Sequence, residues 1–300
     1  MNVAPHKPVR KAVIAAAGFG TRFLPQTKAM PKEMLPVVDK PVIQYIVEEL
    51  VDAGIEDIVI VTGYHKRSIE DHFDRMSAGL RASLKRDGKL ELLEATKQIS
   101  ELANFAYIRQ KGPYGNATPL LNAEHLLGDE PFIYTWGDDF VQSQPSRFKQ
   151  IIAAREKMGG SVLTCIPAQS EIDYSRYAFV DGDKAGDNLI EIKSIIEKPG
   201  SRQASPSNIA SVGGYLFDPA IFEYLKADKD KLAEEEEFVF QPSIQRMIQD
   251  GHKVYGCEIK GGQFYDTGNK LEYLKTVVDF ALMNDDIKDD FEKFLRDKIG

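Results

Sequence analysis

Cysteine and histidine are scarce in this sequence. Its 300 residues include two cysteines, Cys165 and Cys257, and five histidines. Neither cysteine lies in a CxxC motif and the histidines form no HxxxH pair, so the spacing argues against a zinc site. We expect the cysteines to be reduced, part-buried thiols of a cytoplasmic protein, because isolated cysteines normally stay reduced in that compartment.

An excess of positive charge and long hydrophobic runs are lacking as well. The net charge is −8, whereas nucleic-acid-binding proteins normally carry a basic face, so we expect no nucleic-acid partner. No stretch approaches the ~18 apolar residues that span a membrane, so we expect no membrane partner either. The apolar run at residues 12–17 is too short for the core of a signal peptide and leads into Gly-Phe-Gly, which predicts a buried strand.

The apolar residues that are present follow an alternating pattern of strands and helices. They are 43% of the chain, and strand, helix and strand in its first ~60 residues is the βαβ pattern of a parallel sheet. We predict an α/β fold with a Rossmann-like, mixed but mostly parallel central sheet, flanked by helices and followed by a C-terminal helical extension. Periodicity predicts strands at 11–17, 57–62, 105–109, 131–136, 161–166, 177–181, 189–197, 212–217 and 254–258, and helices at 42–53, 66–73, 117–127, 148–158, 219–225 and 242–249, with an exposed helical excursion at 76–100 and a mostly helical end at 268–299.

The first predicted strand runs into a glycine-rich loop that is followed by cations. The loop reads Ala17-Gly18-Phe19-Gly20-Thr21-Arg22-Phe23-Leu24-Pro25, with Lys28 and Lys32 close behind. Glycines let backbone N–H groups approach a phosphate. Phe23 stands where a dinucleotide fingerprint needs glycine, and the Gly-Lys-Ser/Thr of a Walker A loop is absent. An ordinary βα turn is the alternative, but Arg22 and Lys32 suit phosphoryl or nucleotidyl transfer, where charge builds on phosphate oxygens.

Two aspartates are candidates for binding a metal ion. Asp138 follows a predicted strand, at the carboxyl edge where open α/β sheets place their sites. Asp266 precedes Thr267-Gly268-Asn269. Mg²⁺ is usually held by one or two carboxylates together with substrate phosphates. Taken alone, each aspartate is better explained as a turn former or a helix cap.

The motifs resemble those of a known family. The run from Gly18 to Pro36 is similar to the signature of the bacterial UTP–glucose-1-phosphate uridylyltransferases, which belong to the sugar-1-phosphate nucleotidyltransferases. The similarity continues through Glu197-Lys198-Pro199, Val212-Gly213 and Asp266-x-Gly268-Asn269-Lys270-Leu271. The resemblance implies a fold of the nucleotide-diphospho-sugar transferase type, and a homo-oligomer, either dimer or tetramer. It also implies that Mg²⁺ assists in forming UDP-glucose and pyrophosphate from UTP and glucose 1-phosphate.

The resemblance also implies roles for particular residues. Asp138 and Asp266 would bind the metal, and together with Arg22 and Lys32 they would be the catalytic residues. The nucleotide would be bound by Ala17, Gly18, Gly20, Thr21, Arg22, Lys32, Gln110 and Gly115. The sugar phosphate would be bound by Ala178, Glu197, Lys198 and Gly213. The alternative for Glu197 is a purely structural role, as a glutamate at the end of a strand that pairs with the adjacent Lys198.

The predicted organisation follows the same assignment. Residues 1–265 would form the nucleotidyltransferase domain, with a nucleotide half at about 1–170 and a sugar-phosphate half at about 171–265. Residues 266–300 would form the C-terminal helical segment. Because no low-complexity linker separates the halves, we predict a subdomain shift near residue 170.

Departures from the family pattern keep other substrates open. Ala117 and Pro119 replace a glycine and an alanine of the usual nucleotide loop, and Gly137 gives the strand end a thymidylyltransferase-like sequence. Ala178 replaces a glycine beside the sugar, and Gln241-Pro242 replaces Thr-Asp. We prefer UTP and glucose, with dTTP and other sugar 1-phosphates as alternatives, because one methyl group changes binding by only ~1–3 kcal/mol. A catalytically silent regulator that binds sugar nucleotides is a further alternative, whereas the loop sequence disfavours a Rossmann oxidoreductase.

Overall fold

The structure, a computed structural model, describes residues 7–299. Its strands are β1 (Lys11–Ala16), β2 (Pro36–Val37), β3 (Lys40–Pro41), β4 (Asp57–Thr62), β5 (Asn104–Arg109), β6 (Phe132–Trp136), β7 (Asp139–Ser143), β8 (Ser161–Pro167), β9 (Ala178–Lys184), β10 (Leu189–Glu197), β11 (Ile209–Phe217), β12 (Val254–Glu258) and β13 (Gly262–Asp266). Its α-helices are α1 (Val42–Asp52), α2 (Arg67–Phe73), α3 (Ala78–Arg86), α4 (Leu90–Ile99), α5 (Ala117–Leu127), α6 (Arg147–Met158), α7 (Ile221–Lys229), α8 (Gln241–Gln249), α9 (Lys270–Met283) and α10 (Lys288–Ile299).

A nine-stranded sheet in the order β5-β4-β1-β6-β11-β8-β12-β10-β9 forms the centre of the molecule. The strands β5, β4, β1 and β6 are parallel neighbours, as are β8 and β12, whereas β11 runs antiparallel to both of its neighbours. Alternation along β1 sends Ile14 to the core beneath α1 and α6, and Val13 to the core beneath α5, α7 and α8. Both side chains are fully buried, and each such burial contributes about 1.5–3 kcal/mol.

The later strands close on one another and leave a gap beside the parallel half. β9 pairs with β10 and also with the start of β11, where Ser211 lies opposite Ala178. The register of β11 then shifts between Ser211 and Tyr215, after which the strand pairs with β6. A bulged strand of this kind bends and re-aims its side chains. The gap between β6 and β9 therefore opens on the carboxyl edge of the parallel strands.

Most predicted elements lie where the sequence indicated, with boundary shifts of a few residues. The strand predicted at 177–181 begins at Ala178 and extends to Lys184, and the helix predicted at 219–225 spans Ile221–Lys229. The exposed excursion at 76–100 consists of α3 and α4. The prediction omitted the two-residue strands β2 and β3, which pair with each other, and also β7 and β13, which pair antiparallel with each other. Both β7 and β13 become strands through a partner far away in sequence, which local periodicity does not reveal.

The C-terminal helices follow directly on β13. Aromatic contacts pack α9 against the rest of the protein: the ring of Phe280 lies 5.0 Å from that of Tyr45 and 5.6 Å from that of Phe140.

Both cysteines are free and fully buried, Cys165 on β8 and Cys257 on β12. They are more deeply buried than the part-buried state that we expected. Among residues 7–299, no helix has the length and apolarity to cross a membrane.

Candidate active site

The loops that follow the parallel strands meet at one edge of the sheet. The glycine loop follows β1, Gln110 follows β5, and Gly137 and Asp138 follow β6. The loop after β1 is tied locally, because the hydroxyl of Thr27 donates to the carbonyl oxygen of Gly20 at 2.7 Å. Parallel strands bring their carboxyl ends together. Predicted site residues from distant parts of the chain therefore lie at the same edge of the sheet.

An ion pair joins the glycine loop to the end of β6. Lys32 Nζ donates to Asp138 Oδ2 at 2.6 Å, and both side chains are about three-quarters or more buried. Burial alone would lower the pKa of Lys32, but the carboxylates of Asp138 and Glu33 outweigh it and raise the pKa. The ammonium group therefore stays charged at neutral pH, which leaves a fixed cation beside the loop.

A second, fully buried ion pair supports the turn that carries Lys32. The carboxylate of Glu33 accepts from Lys66 Nζ at 2.7 Å, and the two side chains are 0% and 5% exposed. Burial raises the pKa of Glu33, while Lys66 and Lys32 act in the opposite direction. Because Lys66 immediately precedes α2, this pair ties the short 3₁₀ turn Lys32–Met34 to the start of α2. No local motif in the sequence indicates that Glu33 and Lys66 form a pair, because they are 33 residues apart.

Asp266 reaches the same edge from the other end of the chain. In the pairing of β13 with β7 it lies opposite Asp139, and Thr267 donates through both N and Oγ1 to the carbonyl oxygen of Asp138. Asp266 Oδ2 accepts from Arg176 Nη2 at 2.7 Å and from the hydroxyl of Tyr177 at 3.1 Å. Burial and the neighbouring Asp138 raise the pKa of Asp266, whereas Arg176 lowers it.

Gly268 shows how closely the two aspartates approach each other. A Cβ atom at Gly268 would lie 2.7 Å from Asp138 Oδ2 and 3.1 Å from Asp266 Oδ1. One point is therefore near an oxygen of each carboxylate, and a side chain there would fill it. Arg22 contacts the same group of residues, because its Nη1 donates to the carbonyl oxygen of Gly268 at 3.3 Å.

This pair of carboxylates fits a magnesium ion. Among residues 7–299, no cluster of three or more His, Cys, Asp or Glu side chains could enclose a metal. Mg²⁺ does not need such a cage, because it usually keeps waters and binds through one or two carboxylates plus substrate phosphates. The hard oxygen donors of Asp138 and Asp266 are of the kind that it prefers.

A cleft of about 150 Å³ adjoins the aspartates, in the gap between β6 and β9. Of the predicted site residues, its walls include Asp138, Ala178, Glu197, Gly213 and Asp266. The residues on its walls that were not predicted to belong to the site are Asn116, Trp136, Asp139, Arg176, Tyr177, Ser211, Val212, Tyr215 and Gln241. The cleft is lined by polar groups and aromatic rings, which can orient a small ligand by hydrogen bonds and ring contacts.

Glu197 and Lys198 lie at the end of β10, beside the cleft. Lys198 Nζ is 3.2 Å from Glu197 Oε1 and its side chain is 49% exposed. Burial raises the pKa of Glu197, with Lys198 opposing. The structural alternative for Glu197, pairing with the adjacent lysine, is thus observed. The Glu197 carboxylate also lines the cleft.

Behind the cleft lies a buried ionic network. Arg147 is fully buried, and Nη1 donates to Asp139 Oδ1 at 3.2 Å and to the carbonyl oxygen of Gly213 at 2.8 Å. Its Nε lies 3.1 Å from Glu49 Oε2. A Cβ atom at Gly213 would lie 2.2 Å from Asp139 Oδ1, so no other residue fits against this carboxylate. Burial raises the pKa of Asp139 and of Glu49 to about 7, while Arg147 opposes the shift of each.

The two substituted segments of the family pattern contact each other. Asn116 Nδ2 donates to Gln241 Oε1 at 3.3 Å, and Asn116 Oδ1 accepts from the backbone N–H of Phe240 at 3.0 Å. Gly115 belongs to this contact, because a Cβ atom at this position would clash with the backbone of Phe238, whose carbonyl oxygen also accepts from the N–H of Ala117. Gly115 and Gln110 are not among the residues of the cleft wall. If these two residues bind the nucleotide as predicted, they do so from the loops farther along this edge of the sheet.

Taken together, cations from the glycine loop and carboxylates from two strands converge where phosphates would lie beside a polar cleft. Such an arrangement can neutralise a phosphate chain from opposite sides and hold a second substrate in line with it. The class of protein that this fold and this site define is a nucleotidyltransferase.

The comparisons with known proteins give the family. The sequence model of the Nucleotidyl transferase family matches residues 11–281, and the chain belongs to this family. It is 43% identical over 291 residues to the UTP–glucose-1-phosphate uridylyltransferase of Staphylococcus haemolyticus strain JCSC1435, with 97% of this chain and 99% of the relative covered. The resemblance indicated by the motifs is thereby confirmed.

Solved structures agree with this assignment. UTP-bound UGPase from Acinetobacter baumannii matches with a TM-score of 0.86 at 32% identity, covering 96% of this chain and 99% of that one. A UDP-glucose pyrophosphorylase in complex with UDP-glucose matches with a TM-score of 0.80 at 33% identity, covering 92% and 100%. The predicted fold class, an α/β fold of the nucleotide-diphospho-sugar transferase type, is confirmed.

Proposed function

We propose that this chain is a UTP–glucose-1-phosphate uridylyltransferase. A phosphate oxygen of glucose 1-phosphate attacks the α-phosphorus of UTP, the new P–O bond forms, and the bond to the β-phosphate oxygen breaks. UDP-glucose and pyrophosphate are the products. The relatives named for this activity, at 43% identity over nearly the whole chain, support the choice of substrates.

The observation that carries the proposal is the convergence of Lys32, Asp138 and Asp266 at the edge of the cleft. Lys32 and Arg22 hold positive charge beside the glycine loop, where the triphosphate would lie. A phosphate oxyanion is already a competent nucleophile, so no side chain has to remove a proton. Positioning and electrostatic stabilisation would therefore supply the rate enhancement.

Asp138 and Asp266 would hold Mg²⁺ between them. When bound, such an ion would neutralise phosphate charge and act as a Lewis acid on a phosphoryl oxygen. The remaining tasks fall to the chain: Lys32 keeps Asp138 oriented, and the hydrogen bonds from Thr267 fix the separation of the two loops. Gly268 leaves room between the carboxylates.

The other predicted roles form part of the same proposal. Ala17, Gly18, Gly20, Thr21, Arg22, Lys32, Gln110 and Gly115 would bind the nucleotide, and Ala178, Glu197, Lys198 and Gly213 the sugar phosphate. We propose the nucleotide half at about 1–170 and the sugar-phosphate half at about 171–265. The sheet crosses this boundary, because β11 lies between β6 and β8. The cleft lies where the two halves meet.

We also propose that the protein is a cytoplasmic homo-oligomer. Helices α9 and α10 display large apolar side chains: Leu271, Leu274, Met283 and Phe294 are each 48% or more exposed. A face of this kind suits contact with a second copy. Light scattering coupled to size exclusion should give a mass of two or four chains, and a single-chain mass at micromolar concentration would contradict this.

The direct test of the activity is pyrophosphate release, measured over a grid of UTP and dTTP against several sugar 1-phosphates. We expect the highest kcat/KM for UTP with glucose 1-phosphate. Higher kcat/KM with dTTP would favour the thymidylyltransferase alternative that Gly137 suggested. UDP-glucose binding without turnover of any pair would favour the silent regulator.

A further inference from the structure

The cleft beside the aspartates is rich in carboxylates and poor in cations. Its walls contain Asp138, Asp139, Glu197 and Asp266. Within residues 7–299, Arg176 is the one cationic side chain that forms part of the same walls. A sugar phosphate that entered such a cleft would bring two more negative charges close to these groups. Unless a cation met it there, repulsion would oppose its binding.

Arg176 has donors to spare for a phosphate. Its Nη2 donates to Asp266 Oδ2 at 2.7 Å, and its side chain is 19% exposed. Its Nε and Nη1 make no hydrogen bond to any residue from 7 to 299. A guanidinium carries five N–H donors in a planar fork and can bind a carboxylate and a phosphate simultaneously. The Arg176 side chain is part of the cleft wall, so a ligand in the cleft can reach it.

The backbone holds Arg176 in place before any ligand binds. Its N–H donates to the carbonyl oxygen of Asp173 at 2.9 Å. The buried side chain of Asp173 in turn accepts from the N–H groups of Gln169 and Ser170 at 2.8 and 2.9 Å. A capped turn of this kind fixes the start of β9 and so reduces the entropy lost when the side chain binds an anion.

We propose that Arg176 binds the phosphate of the sugar 1-phosphate and bridges it to Asp266. The inference rests on the proposed function and adds a phosphate-binding residue to the site. Lys198, which the family resemblance implied for this task, is half exposed, pairs with Glu197 and lies outside the cleft wall. In this arrangement Arg176 places the attacking phosphate beside one of the two carboxylates that face the α-phosphate.

The test compares Arg176→Gln and Arg176→Lys with Lys193→Gln, which removes an exposed charge from the same half. In the active enzyme, we expect Arg176→Gln to raise the KM for glucose 1-phosphate about 10- to 100-fold, because bonds to charged groups are strong. The KM for UTP should change by less than about threefold. Arg176→Lys should be intermediate, since it keeps the charge and loses the fork. Lys193→Gln should match the wild type.

A binding measurement separates phosphate binding from a structural role. Calorimetry in EDTA would compare UDP-glucose, which contains the sugar phosphate, with uridine 5′-monophosphate, which lacks it. We expect Arg176→Gln to weaken UDP-glucose about tenfold or more and to leave the monophosphate within about twofold. Circular dichroism should show that each variant is folded, and Arg176→Lys carries the test if Arg176→Gln is not.

Two outcomes would overturn the inference. If Arg176 serves only to orient Asp266, Arg176→Gln will weaken Mn²⁺ binding and lower kcat, as Tyr177→Phe should, while UDP-glucose binds in EDTA as tightly as before. An unchanged KM for glucose 1-phosphate in an otherwise active variant would have the same meaning. Failure of the proposed function looks different, because the wild type would then turn over no sugar 1-phosphate at all.

Discussion

Asp138 and Asp139 are adjacent in sequence, yet they lie in very different surroundings. Asp138 is bound by Lys32 at the edge of the cleft, and its side chain is 16% exposed. Asp139 also lines the cleft, but its carboxylate accepts from the fully buried Arg147 and from the backbone N–H of Gly213. The two neighbouring carboxylates therefore have different partners, a partly accessible lysine for Asp138 and a core arginine for Asp139.

The difference shows that two adjacent residues at one strand end can contribute separately, one to catalysis and the other to stability. The cleft pair Lys32–Asp138 keeps charge where a substrate can reach it. The network of Asp139, Arg147 and Glu49 uses charge to fix backbone, because Arg147 also donates to the carbonyl oxygen of Gly213. A change in the cleft should therefore reduce activity and spare stability, and a change in the buried network should first reduce stability.

The largest expected effect is on catalysis. Asp138→Asn keeps the shape of the side chain but removes the charge, and we expect kcat to fall by about 10³-fold, the upper end of what one charge-stabilising group supplies. The free energy of unfolding should change by less than about 1 kcal/mol, because loss of the ion pair with Lys32 is offset by relief of the repulsion between Asp138 and the largely buried Asp266. Steady-state pyrophosphate release and urea denaturation measure the two quantities.

Asp139→Asn is the matched control for this prediction. It should show the reverse pattern, with an unfolding free energy lowered by about 1–3 kcal/mol because a buried charged hydrogen bond is lost. Equal losses of activity and stability in both variants would remove the distinction between the two aspartates.

The next effect is on stability. Arg147→Met leaves Asp139 and Glu49 buried without their shared cation, and breaking such a network costs about 3–5 kcal/mol. Urea denaturation should show this loss directly. Arg296→Met is the control, since Arg296 is 77% exposed and pairs with Glu292 on the surface of α10. Its effect should stay below about 1 kcal/mol, and equal losses in the two variants would contradict the role given to the network.

A smaller effect should follow from filling the space between the aspartates. Gly268→Ala would place a Cβ atom 2.7 Å from Asp138 Oδ2, so one carboxylate must move. We expect Mn²⁺ affinity to fall about tenfold, the lower end of the range for changes beside metal ligands. Gly79→Ala is the control, because a Cβ atom there meets open space on α3. Mn²⁺ titration followed by electron paramagnetic resonance measures the affinity, and unchanged binding would argue against the metal position.

The last effect concerns the dependence of stability on pH. Burial raises the pKa of Glu49 to about 7, whereas in an unfolded chain it is about 4.3. The folded state therefore retains this proton at higher pH than the unfolded state. The stability that this gives is complete below about pH 4 and is lost as the pH rises through 7.

Glu49→Gln tests this linkage, because glutamine cannot titrate. Between pH 5 and 7, the unfolding free energy of the wild type should fall by about 2 kcal/mol more than that of the variant. Urea denaturation over this range measures both slopes. Parallel slopes would show that Arg147 keeps Glu49 ionised and that the proton is not retained.

The comparison also shows what the sequence could reveal. Lys32 and Asp138 stand in local motifs, a glycine loop and a strand end, so their types and spacing were informative. Arg147 stands at the start of a helix and reads as a surface residue, because Asp139, Glu49 and Gly213 reach it from three other elements. Strands β7 and β13 escaped prediction for the same reason, since each depends on a distant partner.

The same limit applies to contacts within the cleft. Arg176 and Asp266 are separated by most of the second half of the chain, and nothing in the sequence around either one indicates that they meet. Ala117 and Gln241 were noticed separately as departures from the family pattern. The hydrogen bond between Asn116, which precedes Ala117, and Gln241 shows that the two substituted segments lie together beside the cleft, which the spacing alone could not indicate.

The central claim is that Asp138 and Asp266 hold a divalent cation between a nucleotide's phosphates and the cations of the glycine loop. Its most direct test is an anomalous difference map from crystals grown with Mn²⁺ and UDP-glucose. We expect one strong peak between the two carboxylates, within bonding distance of both and of a phosphate oxygen. A nucleotide bound in the cleft with both aspartates turned away and the Mn²⁺ peak elsewhere would contradict the account.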